Sequence, residues 1–184
     1  MALKKCTQDI CLECRESRGK CCCQDDTIIP LGINDVNNIL SNGYAMNDFL
    51  RVVEYRPEEF LSQEDWWQQS FYEKDGKFFR LAIKLKNEIC TFLEDGKGCL
   101  LGKNRPDMCK IYPFSIDPNN QIIFEPQAKK YCFIGQNIDE VAEGLNNIRE
   151  TPERIRQYYD SIRTDCINNK FEYFRIINQL LVKP

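Results

Sequence analysis

Hydrophobic and polar positions in the middle of the chain alternate in a way that predicts a β-hairpin. An aromatic pair at residues 71–72 precedes the turn pair Asp75-Gly76, and residues 78–86 form the returning strand. Apolar side chains at every second position of that strand predict one buried face, which places Arg80 on the opposite, polar face.

Two helices are predicted before this hairpin. Residues 34–40, followed by Gly43, have the pattern of a short capped helix. Asn47 is a candidate cap for a second helix that runs to Val53, and Pro57 would end it.

The apolar period changes to 3.6 from about Asn137, which predicts helices to the end of the chain. Thr151 followed by Pro152 predicts the start of one of them, and a last helix runs from Phe171 to Leu181. We therefore expect an α+β fold: a small metal-organised, cysteine-rich domain with short hairpins at 1–135, and a helical extension at 136–184 packed on it.

Composition narrows the chemistry that these elements can support. The chain of 184 residues carries eleven cysteines and no histidine, at a formal net charge of −3. The missing histidine excludes Ser-His-Asp and Cys-His catalysis and mixed Cys/His zinc sites. The slightly acidic balance argues against nucleic acid as a partner. We expect a cytoplasmic protein without membrane association, because the first residues lack the apolar stretch of a secretory signal and no apolar run approaches the roughly 18 residues that span a bilayer.

The cysteines fall into two groups, separated by a cysteine-free insert at residues 24–89. In a reducing compartment so many thiols favour metal ligation over disulfides. Four thiolates within folding distance suffice for a zinc site or an iron–sulfur cluster. The candidate metal ligands are Cys11, Cys14, Cys21, Cys22, Cys23, Cys90, Cys99, Cys109 and Cys132. We interpret Cys6 as an incidental thiol and Cys166 as a small hydrophobic residue facing the core.

Basic residues are concentrated near these cysteines. The segments 1–24, 96–110 and 129–132 hold eleven basic residues against four acidic ones. Nearby cations lower the pKa of thiols and offset the negative charge of several thiolates on one ion. The charge distribution therefore supports metal binding at these loops.

The order of the cysteine motifs resembles that of a known family. Cys11-Leu-Glu-Cys14 and the run Cys21–Cys23 are followed by Cys90-Thr-Phe-Leu, a turn, Cys99, and Arg105-Pro-Asp-Met-Cys109-Lys-Ile-Tyr-Pro. This set is similar to the CxxCxxCC zinc- or iron-chelating domain family, which includes YkgJ-like cysteine-cluster proteins. The resemblance covers residues 11–132 and implies a zinc or iron–sulfur cofactor, without an assigned reaction. The chain departs from the family pattern in having three cysteines at 21–23 where two are expected, so the choice among them stays open.

Three functions remain open at this point. The leading interpretation is a metal-binding protein with eight thiolate ligands, which hold two Cys₄ centres or an iron–sulfur cluster with additional zinc. Flagellin lysine-N-methylases look similar in their cysteine region, so the first alternative is a cluster-dependent enzyme that uses S-adenosylmethionine. The second alternative is a zinc-stabilised adaptor, in which the C-terminal helices bind a protein partner or substrate.

Overall fold

Helices and short antiparallel hairpins build the protein, which confirms the predicted α+β class with a helical C-terminal part. The computed structural model describes residues 28–61, 65–87, 89–94, 96–126, 128 and 132–182. Cys6, Cys11, Cys14 and the run Cys21–Cys23 lie outside the described residues. No helix in these described ranges is both long enough and apolar enough to cross a lipid bilayer.

Strands between residues 50 and 83, within the cysteine-free insert, form a three-stranded antiparallel sheet. Its strands are β1 (Leu50–Tyr55), β2 (Tyr72–Lys74) and β3 (Lys77–Ile83), in the spatial order β1-β3-β2. The turn between β2 and β3 has positive φ at both Asp75 (54°) and Gly76 (72°). This is the backbone that a two-residue turn needs to match the strand twist, so the predicted hairpin is confirmed.

The predicted helix from Asn47 to Val53 is wrong over most of its length. A single helical turn, α2 (Met46–Phe49), leads directly into β1. Val52 and Val53 pair with Leu81 and Arg80 of β3. β-Branched residues favour strands, and pairing with β3 satisfies the backbone groups of this segment, which a short isolated helix could not do as well.

The other elements surround this sheet or follow it along the chain. Three further two-stranded pairs are β4 (Leu85–Lys86) with β5 (Ile89–Cys90), β6 (Leu93–Glu94) with β7 (Gly98–Cys99), and β8 (Phe114–Ile116) with β9 (Ile122–Phe124). The other helices are α1 (Ile33–Ser41), α3 (Pro57–Leu61), α4 (Asp65–Gln68), α5 (Asp107–Ile111), α6 (Phe133–Asn137), α7 (Val141–Ile148), α8 (Pro152–Asn168) and α9 (Lys170–Val182). The hydroxyl of Thr151 accepts a hydrogen bond from the N–H of Arg154 at 3.3 Å, so Thr151 caps α8 as predicted.

Two hydrophobic clusters form the core of the described chain. The sheet cluster consists of Ile29, Leu31, Ile33, Val36, Ile39, Phe49, Leu50, Phe79, Leu81, Ile83, Phe92, Leu101, Tyr173, Ile176 and Ile177. The helical cluster consists of Ile111, Phe114, Ala128, Cys132, Ile134, Ile138, Leu145, Ile148, Ile155 and Ile162. Each cluster combines residues from both sides of position 135, so the C-terminal helices pack on the preceding part. The division into domains 1–135 and 136–184 stays a prediction.

The alternation placed Arg80 on a polar face of the strand, but this face is covered in the structure. The Arg80 side chain is only 2% exposed. The guanidinium carbon lies 3.6 Å from the ring centre of Trp67 and 5.1 Å from that of Phe71. Aromatic rings therefore cover a strand face that would otherwise be polar, and the cation is stabilised by their π-electrons.

Candidate metal centre

The four described candidate ligands all lie on short elements. Cys90 ends β5 opposite Leu85, and Cys99 ends β7 opposite Leu93. Cys109 lies in α5, and Cys132 is the N-cap residue of α6. Two-residue strand pairs and five-residue helices are marginal by themselves in water, so other contacts must hold these cysteines in place.

Three of these cysteines border the same hydrophobic surface. Cys90, Cys99 and Cys109 are half-buried and pack against the sheet cluster. Cys132 is 4% exposed and belongs to the helical cluster. α5 connects the two environments, because it carries Cys109 against the sheet cluster and Ile111 in the helical cluster.

The segment that presents Cys109 is a helical turn, as its Arg-Pro motif predicts. The N–H of Cys109 donates to the carbonyl of Pro106 at 2.9 Å. Pro106 and Pro113 are fully buried on either side of α5, and the Tyr112–Pro113 peptide bond is cis. Two prolines, whose rings fix the backbone φ angle, therefore lie on either side of the helix that carries Cys109.

α1 holds the loop that connects Cys99 to Cys109. The Oδ1 atom of Asp35 accepts a hydrogen bond from the N–H of Asp107, the first residue of α5, at 3.2 Å. One turn later, Nδ2 of Asn38 donates to the carbonyl of Asn104 at 3.0 Å. Nδ2 of Asn104 in turn donates to Oδ1 of Asn42 at 2.9 Å. Two polar residues of α1 and Asn42, which caps its C-terminal end, thus bind the loop.

The N-terminus of α1 is itself held by carboxylates. Oδ2 of Asp35 accepts from the N–H of Gly32 at 3.2 Å, and Oδ2 of Asp165 in α8 accepts from the N–H of Asn34 at 3.1 Å. The pKa of Asp35 is raised to about 7, mainly by burial and to a smaller extent by the negative charges of Asp107 and Asp165, while the hydrogen bonds from the backbone N–H groups of Gly32 and Asp107 act in the opposite direction.

Sequence reasoning missed this group of aspartates. An acidic residue at the third position of a helix can accept a hydrogen bond from the N–H of the residue before the helix, and this signal would have identified the bond to Gly32. The bonds from Asp35 to Asp107 and from Asp165 to Asn34 join residues far apart in the chain, so no local pattern indicates them.

Part of the predicted basic charge is paired with carboxylates. Lys110 lies 2.8 Å from Asp107 in a half-buried ion pair, and Lys97 lies 2.5 Å from Glu94 at the surface. The Lys110 ion pair offsets charge next to Cys109, so the described lysines favour thiolates less than the count of basic residues suggests.

Cys166 has a different environment from the candidate ligands. It packs against the helical cluster, and burial raises the pKa of its thiol to about 11. Metal ligands are thiolates, and a thiol with this pKa is protonated at neutral pH.

The donor chemistry of the candidate residues fits zinc or iron. Because the chain contains no histidine, its cysteines would provide an all-sulfur site, which suits tetrahedral zinc and iron–sulfur clusters alike. Within the described residues, no three cysteine, aspartate or glutamate side chains converge closely enough to bind one ion.

Comparison with known proteins gives one family match. Residues 10–133 match the family CxxCxxCC, described as "Putative zinc- or iron-chelating domain". No curated protein and no solved structure matches the chain. The match does not specify the YkgJ-like subgroup. It covers more than half of the sequence, and by this match the chain belongs to the CxxCxxCC family.

Proposed function

We propose that this protein binds its metal through cysteine thiolates of both groups, as zinc or as an iron–sulfur cluster, and that the metal fixes the loops between residues 89 and 132. The family match carries this proposal. It begins one residue before Cys11 and ends one residue after Cys132. It therefore encloses all nine candidate ligands and leaves out Cys6 and Cys166, the two cysteines that sequence reasoning set aside.

The shortness of the ligand-bearing elements supports an organising role for the metal. β5 and β7 have two residues each and α5 has five, so few backbone hydrogen bonds stabilise them. Metal binding contributes directly to folding free energy when a site forms only in the folded chain. A bound zinc ion would link these segments, and a bound iron–sulfur cluster would add the ability to carry an electron.

The family match favours neither the methylase-like enzyme nor the partner-binding adaptor. A protein whose fold is organised by a bound metal needs only the candidate cysteine ligands, and no additional substrate or partner site. We therefore take metal binding as the function of this chain and leave its biological role unassigned.

Purification under anaerobic conditions, followed by elemental analysis, tests the proposal. A colourless protein with stoichiometric zinc would support a structural zinc site. A brown protein with iron and acid-labile sulfide would support an iron–sulfur cluster. A folded protein that contains neither metal, and takes up neither when reconstituted, would overturn the proposal.

Paired cysteine substitutions test the ligand assignment. We expect Cys109→Ser to lower both metal content and the free energy of unfolding, because serine is a poor replacement for a thiolate ligand. Metal affinity should fall at least roughly 10-fold, because losing even a residue that bonds to a ligand, and not to the metal itself, lowers the affinity about 10- to 100-fold. Cys166→Ser is the control and should retain the metal. Equal metal loss in both variants would contradict the assignment.

A further inference from the structure

α5 begins without a local cap. The residue before Asp107 is Pro106, whose side chain has no hydrogen-bond acceptor. The first N–H groups of any helix lack partners inside the helix and must find them elsewhere. At Asp107 this partner is the Asp35 carboxylate, which lies 72 residues earlier in the chain.

The Asp35 carboxylate is held in place at its other oxygen. Its Oδ2 atom accepts from the N–H of Gly32 at the start of α1. Asp165 of α8 binds the same helix end through the N–H of Asn34. An acceptor that is half-buried and bonded at both oxygens can define the direction of the helix that donates to it.

A second contact from α1 holds the chain immediately before α5. Asn38 follows Asp35 by three residues, so both side chains lie on the same face of α1. Asn38 binds the carbonyl of Asn104, and Asp35 binds the N–H of Asp107. The four-residue segment 104–107 is therefore fixed at both ends, two residues before Cys109.

We propose that Asp35 is a positioning residue of the metal centre: its bond to the N–H of Asp107 fixes α5 and thereby the position of the Cys109 sulfur. This inference rests on the proposed function, in which Cys109 is a ligand. Asp35 does not bind the metal in this arrangement and acts through the helix that carries the ligand.

Asp48 provides a matched control within the same chain. It is the third residue of α2, and its Oδ2 atom accepts from the N–H of Ala45 at 3.3 Å. This repeats the local bond of Asp35 to Gly32, but at an exposed position and, within the described residues, without a hydrogen bond to α5. Asp48→Ala therefore removes a local helix cap and leaves the proposed positioning contact intact.

The full-length chain is stripped of metal and titrated anaerobically with Co²⁺ alone, and thiolate-to-cobalt charge-transfer absorption measures thiolate ligation. We expect Asp35→Ala to weaken Co²⁺ affinity by roughly 10-fold or more, with a less intense charge-transfer band per bound ion. Asp35→Asn should recover part of the affinity, since its amide oxygen can accept the Asp107 N–H. Asp48→Ala should bind as the wild type does.

A second measurement does not depend on metal. In the metal-free protein, the rate of Cys109 alkylation by iodoacetamide is followed by peptide mass spectrometry, with the wild-type chain under the same conditions as the reference. We expect Asp35→Ala to change the Cys109 rate several-fold relative to the wild type, and Asp48→Ala to leave it unchanged. If Asp35→Ala does not fold, Asn38→Ala replaces it. This substitution removes the hydrogen bond to the carbonyl of Asn104 and should show the same effects to a smaller degree.

The outcomes separate this inference from the proposed function. A wild-type chain that shows no thiolate–cobalt absorption and no native metal would overturn the proposed function, and with it the role of Asp35 at a metal centre. A wild-type chain that binds Co²⁺ through thiolates, with an Asp35→Ala variant of equal affinity and band intensity, would overturn the positioning role alone. Weaker binding in Asp48→Ala than in Asp35→Ala would also overturn it.

Discussion

Asp35 combines two properties that usually conflict in a carboxylate. It accepts hydrogen bonds from two backbone N–H groups, which stabilises the charged form. Burial acts more strongly in the opposite direction and raises the pKa of Asp35 to about 7. The side chain therefore changes its charge in the neutral range while it joins α1 to α5.

The raised pKa predicts a pH-dependent stability. Because the folded chain holds the Asp35 proton more tightly than the unfolded chain does, the contribution of this group is fully present below about pH 4 and is lost as the pH rises through about 7. The free energy of unfolding falls by at most about 4 kcal/mol, which corresponds to a pKa raised from 3.8 to about 7. We expect the free energy of unfolding of the wild type, relative to Asp35→Asn, to decrease between pH 4 and pH 7.

Urea unfolding of both proteins at several pH values measures this difference. Acid also protonates thiolate ligands and releases metal, but this occurs in both proteins and largely cancels in the comparison. Among the residues that the structure describes, the charged or titratable groups near Asp35 are Asp107, Asp165, Lys110, Arg80 and Cys166. A difference that stays constant from pH 4 to pH 7 would show that Asp35 keeps an ordinary pKa.

Single residues also show where sequence reasoning reaches its limit. The cysteine spacing identified the family and the candidate ligands, because each motif is contained in a short stretch of chain. Asp35 and Asp165 could not be identified in this way, since their functional contacts are made by folding and leave no periodic pattern.

At the scale of elements, α1 and α8 meet closely at Gly32. A Cβ atom built at residue 32 would overlap the Asp165 carboxylate. The backbone there is ordinary, with φ of −85°, so the requirement for glycine comes from space alone. The absent side chain lets the Asp165 carboxylate reach the N-terminus of α1.

We therefore expect Gly32→Ala to destabilise the protein through its contact with Asp165. The free energy of unfolding should fall by about 2 kcal/mol, the order expected when a close contact is disrupted. In an Asp165→Ala background the same substitution should have a much smaller effect, because the clashing atoms are gone. Chemical denaturation of the four proteins of this double-mutant cycle measures the coupling.

Asn34→Ala is the control for this junction. The Asn34 side chain is exposed, and its backbone N–H, which binds Asp165, is kept by the substitution. A stability loss in Asn34→Ala equal to that in Gly32→Ala, or additive effects of Gly32→Ala and Asp165→Ala, would contradict the steric explanation.

Sequence patterns predicted several elements and failed where pairing between distant segments decides the structure. The hairpin of β2 and β3, α1 and the Thr151-capped α8 have local signals, and all are confirmed. β1 was mistaken for a helix, because its strand conformation depends on β3, about 30 residues later. Arg80 was placed on a polar strand face, because strand alternation does not show that Trp67 covers that face.

At the scale of the whole molecule, α9 is part of the main core. Tyr173, Ile176 and Ile177 belong to the sheet cluster, and the Tyr173 hydroxyl accepts the N–H of Leu81 in β3 at 2.8 Å. The sheet cluster also borders Cys90, Cys99 and Cys109. The last helix therefore contributes to the surface on which candidate ligands rest.

Two apolar residues of α9 allow this contribution to be measured. Ile177 is fully buried, whereas Phe171 is 84% exposed. We expect Ile177→Ala to lower the free energy of unfolding by about 2–5 kcal/mol, as for other large-to-small core substitutions. Phe171→Ala should change it by less than about 0.5 kcal/mol. Denaturant unfolding of the metal-loaded chain compares the two.

A similar, small effect of both substitutions would show that α9 packs loosely and that the helical extension is a separate unit. A single cooperative transition, shifted only by Ile177→Ala, would show that residues on both sides of position 135 unfold together.

The contact between Arg80 and Trp67 gives the protein a built-in optical reporter. Its two tryptophans are adjacent in sequence, at positions 66 and 67, so tryptophan fluorescence reports on one segment of the chain. There the indole of Trp67 lies against the guanidinium of Arg80 in β3, and α4, which carries Trp67, packs against α8. Tryptophan emission will follow the separation of strand and helices, while the absorption of Co²⁺ or of an iron–sulfur cluster would follow the proposed thiolate site. Release of the metal and opening of the core can thus be timed separately in one sample, at two wavelengths.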